Sequence, residues 1–477
     1  MVKLNRRQFI QSSLYGLGAM SALGLEGCGI AGNRPDPPNI LLIVTDDQRW
    51  DAMGCAGNTI IHTPNMDGLA ARGTRFTNGF VTSPISCASR ASILTGLYER
   101  THGHNFGTPL LARERIEMSY PALLRKAGYY TGFVGKLGVF TDPDTNDVER
   151  MFDIFRPLES NPYFKKRGGQ DVHLTDITTD ETIVFLENRD KNRSFCLSVS
   201  FNAPHAEDAD PRQYIWPHAT DHLYRDCWIS PPGGPAADIY NAAPGFLRES
   251  LARKRYYWRF DTPEKYQEMV KGYYRMMTGI DNGLGRILGA LESLQLAKNT
   301  VVIFMSDNGY FLGERGFAGK WFMYEQSVRI PLLIMDPRSP VPAGGQIAED
   351  MALNIDIAPT LLSYAGIAVP ELMQGRSLCA LLDRSATDWR REFFAEHLYN
   401  HPEIPKSEML RTRDWKYIRY PEFAGYEELY NLSTDPMEAT NRAMEKGCES
   451  NLVALRQRCD ASIERLQRDK KPVYKPV

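Results

Sequence analysis

The chain has 477 residues, 43% hydrophobic and 24% charged, with Lys+Arg 56 against Asp+Glu 58 and a formal net charge of -2. That length and apolar content allow a large buried core and exclude disorder on a large scale. The balanced charge excludes a global field that would hold nucleic acid or an anionic membrane, so any anion the chain binds must be held by a local site.

Residues 1–36 read as an export signal. Lys3 and the pair Arg6-Arg7 precede a Gly-rich and Ala-rich apolar run from Leu14 to Leu25, too short and too broken by glycine for a membrane span. Asn5-Arg6-Arg7-Gln8-Phe9-Ile10 resembles a twin-arginine signal, which implies a bacterial protein exported to the periplasm or beyond. Leu25-Glu26-Gly27-Cys28 resembles a lipoprotein cleavage box with Glu26 as an unusual occupant, and a lipid on Cys28 would be the only membrane anchor; removal of Cys28 with the signal is the alternative. The remaining cysteines show neither metal-ligand spacing nor a disulfide framework.

Five short apolar runs read as buried strands: Asn39 to Thr45, Tyr129 to Val134, Phe195 to Phe201, Thr300 to Met305 and Arg329 to Met335. Helical patterns lie between them, including Tyr120 to Lys126 and a long one from Pro263 towards Leu294. The alternation predicts an α/β fold, a mainly parallel central sheet sandwiched by helices. After Gly375 come aromatic and charged segments around Phe393-Phe394, Trp415 to Ile418 and Glu428 to Leu432, with a closing helix near Leu452 to Leu466. They predict a smaller α+β subdomain with an antiparallel sheet.

Four of the five strands run into polar residues: Asp46-Asp47, Gly135-Lys136, Asn202-Ala203-Pro204-His205 and Ser306-Asp307-Asn308-Gly309. Ligands of open α/β sheets bind beyond the carboxyl ends of the strands, so the four endings point to one site. Asp46, Asp47, Asp307 and Asn308 offer three carboxylates and an amide oxygen, a hard set suited to Ca²⁺ or Mg²⁺ rather than zinc. A lone Asp-Asp at a strand end is more often a cap or turn; the second acidic pair decides for a metal. Ser86 to Arg90 is followed by Ala91 to Thr95, which reads as a short helix ended by Gly96, its N-terminus offering backbone amides to an anion.

Ser86-Cys87-Ala88-Ser89-Arg90, followed by Thr95-Gly96, resembles the signature of the sulfatase family, within the alkaline-phosphatase-like superfamily. The resemblance implies hydrolysis of sulfate esters by a formylglycine made from the first signature residue. With Arg90 as the signature arginine, that residue is Ser86, and Cys87 is a bystander. It further implies a radical-SAM maturase as a transient partner, Arg90 as the group holding the nucleophile, Lys136 and Lys320 as neutralisers of sulfate oxygens, and His205 as donor to the leaving oxygen. Taken singly, the two lysines read as surface groups and His205 as a turn residue.

The family's Gly-Lys-x-His is here Gly135-Lys136-Leu137-Gly138, so one histidine is missing. His102 and His104 are the expected substitutes and substrate-binding residues, with metal-bound water as the alternative. Asn354 to Leu361, Gln374 to Leu378 and Glu428 to Glu438 extend the resemblance, with a catalytic domain over 37–382 and a C-terminal subdomain over 383–477. Export and family habit imply a sulfated carbohydrate as substrate. The rivals are a phosphodiesterase or phosphonate monoester hydrolase of the same superfamily, and a catalytically inactive sulfoglycan-binding protein.

Overall fold

A computed structural model describes residues 37–232, 236–339 and 344–469. The twin-arginine motif, the Cys28 box and the Lys470-Lys471-Pro472 tail lie outside them. Among the described residues no helix is long and apolar enough to cross a membrane, and Cys55, Cys87, Cys196, Cys227, Cys379, Cys448 and Cys459 are all free thiols.

The main sheet holds β1 (Asn39–Thr45), β2 (Thr74–Phe76), β3 (Tyr130–Gly135), β4 (Ile154–Pro157), β5 (Phe195–Ser200), β6 (Thr300–Ser306), β7 (Leu332–Met335) and β8 (Gln346–Ala348). Their spatial order is β8-β2-β7-β6-β1-β5-β3-β4. The run from β6 to β4 is parallel, with Leu41 of β1 between Leu197 and Val302. Strand β7 is antiparallel to both neighbours. The expected strand Arg329 to Met335 is thus broken at Pro331, which brings no N–H to a ladder. Arg329–Ile330 pairs with Gly79–Phe80 instead.

Both faces of β1 are buried because its side chains alternate into two cores. Leu41 and Ile43 join one with Leu186, Ile280 and Leu284; Ile40, Leu42 and Val44 join the other with Ala91, Ile93 and Leu361. The covering helices are α1 (Ser86–Thr95), α2 (Leu174–Asn188), α4 (Pro263–Ser293) and α5 (Ile357–Tyr364), and α3 (Leu251–Arg259) directly precedes α4. Helix α4 carries Pro263 in its first turn, where the missing N–H costs nothing.

A second, antiparallel sheet holds β9 (Glu392–His397), β10 (Ser407–Thr412), β11 (Trp415–Arg419) and β12 (Glu427–Asn431) in that order, with α6 (Glu449–Asp469) against it. A third core joins Phe393, Leu410, Tyr417 and Leu429 of this sheet to Phe80, Ile85 and Ala88, so apolar packing runs from it to the start of α1. Strand β10 is too charged to read as buried in the sequence. Its Glu408 pairs with Arg100 and Arg419, both at 2.7 Å, and its Arg411 pairs with Glu325 at 3.0 Å. Those partners make the burial affordable.

Candidate active site

The adjacent strands β6, β1, β5 and β3 end side by side, so Asp307-Asn308, Asp46-Asp47, Asn202 to His205 and Lys136 emerge along one edge of the sheet. Helix α1 delivers Ser86 to the same place; its N-cap Ile85 has no side-chain oxygen to satisfy the first turn. Gly135 makes the close pass of β3 along β5 feasible: its φ is +107°, and a Cβ there would lie 2.0 Å from the Ser200 carbonyl oxygen.

Ser86 Oγ donates to Asp46 Oδ1 at 3.0 Å and lies 3.4 Å from both Asn308 Oδ1 and Lys320 Nζ. Lys136 pairs with Asp46, and Lys320 with Asp47. Arg90 donates from Nε to Asp307 Oδ2 at 2.7 Å and from Nη1 to the Lys136 carbonyl at 2.8 Å, and also bonds Ser200. Asn308 Nδ2 donates to Asp47 Oδ1 at 2.6 Å. Asp47 holds a left-handed φ of +67°, a strain of about 1–3 kcal/mol of the sort concentrated at functional sites.

Three buried carboxylates face three cations, and the balance is uneven. Burial by itself would raise the Asp46 carboxyl, but Lys136, His205, Lys320 and Arg90 together hold it well below the usual carboxylate range. Asp307 goes the other way: burial, then the charge of Asp46, push it up to about 6 despite Arg90 and Lys320. Asp47 Oδ2 is buried with no hydrogen-bond partner among the described residues, and ligand atoms of Asp46, Asp47 and His205 lie within 4.8 Å of one another. An oxygen-rich cluster with a carboxyl short of compensation and an orphaned carboxylate oxygen fits a hard divalent cation.

His205 donates from Nδ1 to the Ala206 carbonyl at 2.7 Å, which leaves Nε2 as an acceptor 3.7 Å from Asp47 Oδ2. Burial first, then Lys320, push this imidazole down to about 4, so it is neutral at pH 7. Ser86, Lys136, His205 and Lys320 line a cavity of about 230 Å³. Phe106, Arg255, Trp321, Tyr399 and His401 are also in its walls, and sequence reasoning gave none of the five a role. They sit in loops or on α3 without periodicity or motif, and only the general excess of aromatics after Gly375 hinted at Tyr399. His401 Nδ1 accepts the Glu403 N–H at 3.1 Å, so its neutral form carries the proton on Nε2.

His102 and His104, expected to bind substrate, do not line this cavity. His102 Nε2 meets Ser92 Oγ at 3.1 Å and its Nδ1 accepts the His104 N–H at 3.1 Å. His104 uses its ring nitrogens on the Pro109 carbonyl at 3.0 Å and the Phe140 N–H at 3.2 Å. Both rings are spent on holding the loop after α1. Cys87 is fully buried, and burial, then Glu99, push its thiol up to about 12. Iodoacetamide at pH 8 should therefore leave Cys87 unlabelled in the native protein and label it after denaturation, read by peptide mass spectrometry; native labelling would show that the thiol is reachable.

The sulfatase family profile matches residues 38–367. The chain belongs to the sulfatase family. As a member it is a sulfuric ester hydrolase, and a second profile, the C-terminal region of N-sulphoglucosamine sulphohydrolase, matches residues 313–465. This sulfatase is 29% identical to an N-acetylglucosamine-6-O-sulfatase of Bacteroides thetaiotaomicron, over 88% of this chain and 86% of that one. A solved enzyme in complex with its substrate D-glucosamine-2-N,6-O-disulfate superposes with a TM-score of 0.77 at 28% identity, covering 92% of this chain and 100% of the other. A phosphonate monoester hydrolase from Silicibacter pomeroyi also reaches 0.77, over 90% and 95% of the two chains, but at 21% identity it shares the fold alone.

Proposed function

We propose that this sulfatase hydrolyses sulfate esters of carbohydrates, with Ser86 as the residue oxidised to formylglycine and Asp46, Asp47, Asp307 and Asn308 as oxygen ligands of Ca²⁺ or Mg²⁺. The observation that carries the reading is the seat of Ser86, at a helix N-terminus in the cavity floor with its Oγ between Asp46, Asn308 and Lys320. The relatives that act on sulfated glucosamine support the carbohydrate. Export rests on the twin-arginine motif at Asn5 to Ile10.

Formylglycine, once formed, supplies a hydrated aldehyde with one hydroxyl to attack sulfur and a second to release the sulfate. A divalent cation, when bound, supplies the charge that stabilises an anionic oxygen beside residue 86. Lys320 and Lys136 place two ammonium groups where charge develops on the sulfate. Arg90, pinned at Asp307, the Lys136 carbonyl and Ser200, keeps residue 86 and the acidic cluster in register. His205 is anchored through Nδ1, so Nε2 is the atom that exchanges a proton with the cavity. A bound sulfate favours its protonated form, which donates to the leaving oxygen.

Sulfate release by matured protein tests the function: 6-O-sulfated glucosamine should be turned over, and faster turnover of a phosphate diester would sink the assignment. The metal has its own test. Saturating Ca²⁺ should raise Tm by a few degrees, as expected of a ligand stabilising the fold by about 2.7 kcal/mol at a hundredfold excess over Kd. Asp307→Asn should remove most of that rise, and a Tm indifferent to both Ca²⁺ and Mg²⁺ would discard the ligand set.

A further inference from the structure

The cations on the floor of the cavity are committed. Lys136, Lys320 and Arg90 each face an aspartate of the cluster. Arg255, which lines the same cavity from α3, is not compensated to the same degree. Among the described residues its one anionic partner is Asp208, and Asp208 also pairs with Arg259. Arg259 is fully buried, and its other bonds, to Gln213 Oε1 at 2.8 Å and Tyr310 Oη at 2.6 Å, are to neutral groups. One carboxylate thus serves two guanidiniums, leaving a surplus positive charge. Arg255 Nε is buried with no hydrogen-bond partner among the described residues.

Packing holds this guanidinium in place. It lies 4.8 Å from the centre of the Trp321 ring, one residue after Lys320. The first amide of α3, on Leu251, donates to the Glu403 carbonyl at 2.9 Å, tying the helix to the loop that carries Tyr399 and His401. A planar cation that lies over an aromatic ring and shares its carboxylate with a second guanidinium is suited to an oxyanion.

We propose that Arg255 forms a second anion site in the cavity, which reads an additional negatively charged substituent (sulfate, sulfamate or carboxylate) on the sulfated sugar. The proposal deepens the carbohydrate sulfatase reading and rests on it. A sugar with a single sulfate leaves the surplus charge at Arg255 unmet; a doubly anionic one meets it.

The test is a binding measurement on the unmatured chain, which holds Ser86 and turns nothing over. With Ca²⁺ present, titration calorimetry compares glucosamine bearing both 2-N- and 6-O-sulfate with N-acetylglucosamine 6-O-sulfate. A second pair is a 6-O-sulfated uronate disaccharide and its carboxyl-reduced form, which separates sulfamate from carboxylate. In at least one pair the doubly anionic member should bind about 10-fold tighter or better, Arg255→Gln should abolish that preference, and Arg255→Lys should keep part of it. Equal or undetectable binding within both pairs overturns the proposal, as does an Arg255→Gln variant, folded by its Tm, that weakens both members by the same factor. Failure of the sulfatase reading is separate: matured wild type would release no sulfate from any substrate.

Discussion

Ser86→Ala should release no sulfate above background, a loss on the order of 10⁴-fold or more in kcat, while folding with nearly the parent Tm. The size follows from the seat of the side chain: Asp46, Asn308 and Lys320 all converge on its Oγ. The stability is spared because one small hydroxyl is removed from a cavity floor, not a side chain from a packed core. The companion measurement is mass spectrometry of the peptide containing residue 86 from cells with a serine-type maturase. Loss of two hydrogens at Ser86 with an intact thiol at Cys87 is the expected result. An aldehyde at position 87 would overturn the register taken from Arg90.

Gly138→His should not restore a missing family feature; it should damage the enzyme. Gly138 has a φ of +66°, and a Cβ there would lie 2.5 Å from Arg90 Cδ. Arg90 has little room to yield, since it is buried and held by Asp307, the Lys136 carbonyl and Ser200. Overpacking of about 1–3 kcal/mol and a left-handed non-glycine residue add up to a clear drop in Tm. Displacing Arg90 by about 1 Å from the residue 86 cluster should lower kcat by about 10²-fold. A Gly138→His variant at least as active and as stable as the parent would show that the loop accommodates the ring.

The central sheet and the floor of the site were legible in the sequence for one reason. A strand buried on both faces is written as a continuous apolar run, and the run stops where the chemistry starts. Asn39 to Thr45 followed by Asp46-Asp47 states both facts at once. The direction of β7 was not legible, because Arg329 to Met335 has the same apolar texture whichever way it pairs; only Pro331 marked the break. Strand β10 was hidden by Glu408 and Arg411, whose partners come from distant segments. His102 and His104 looked available because a sequence shows a ring but not the carbonyl or amide that occupies it. The cavity walls at Phe106, Arg255, Trp321, Tyr399 and His401 come from separate connections whose meeting is decided by tertiary packing.

Under the proposed maturation of Ser86, the burial of α1 would also set an order of events in the cell. Every residue from Ser86 to Thr95 is buried, and the third core closes over Ile85 and Ala88. A maturase that must grip the chain around residue 86 has nothing to hold once that packing is complete. If Ser86 is oxidised as proposed, oxidation and folding compete, and the ratio of their rates fixes the active fraction of a preparation. Protein made where folding wins would be soluble, monodisperse and thermally normal, yet inert, and no assay of foldedness would distinguish it from the working enzyme.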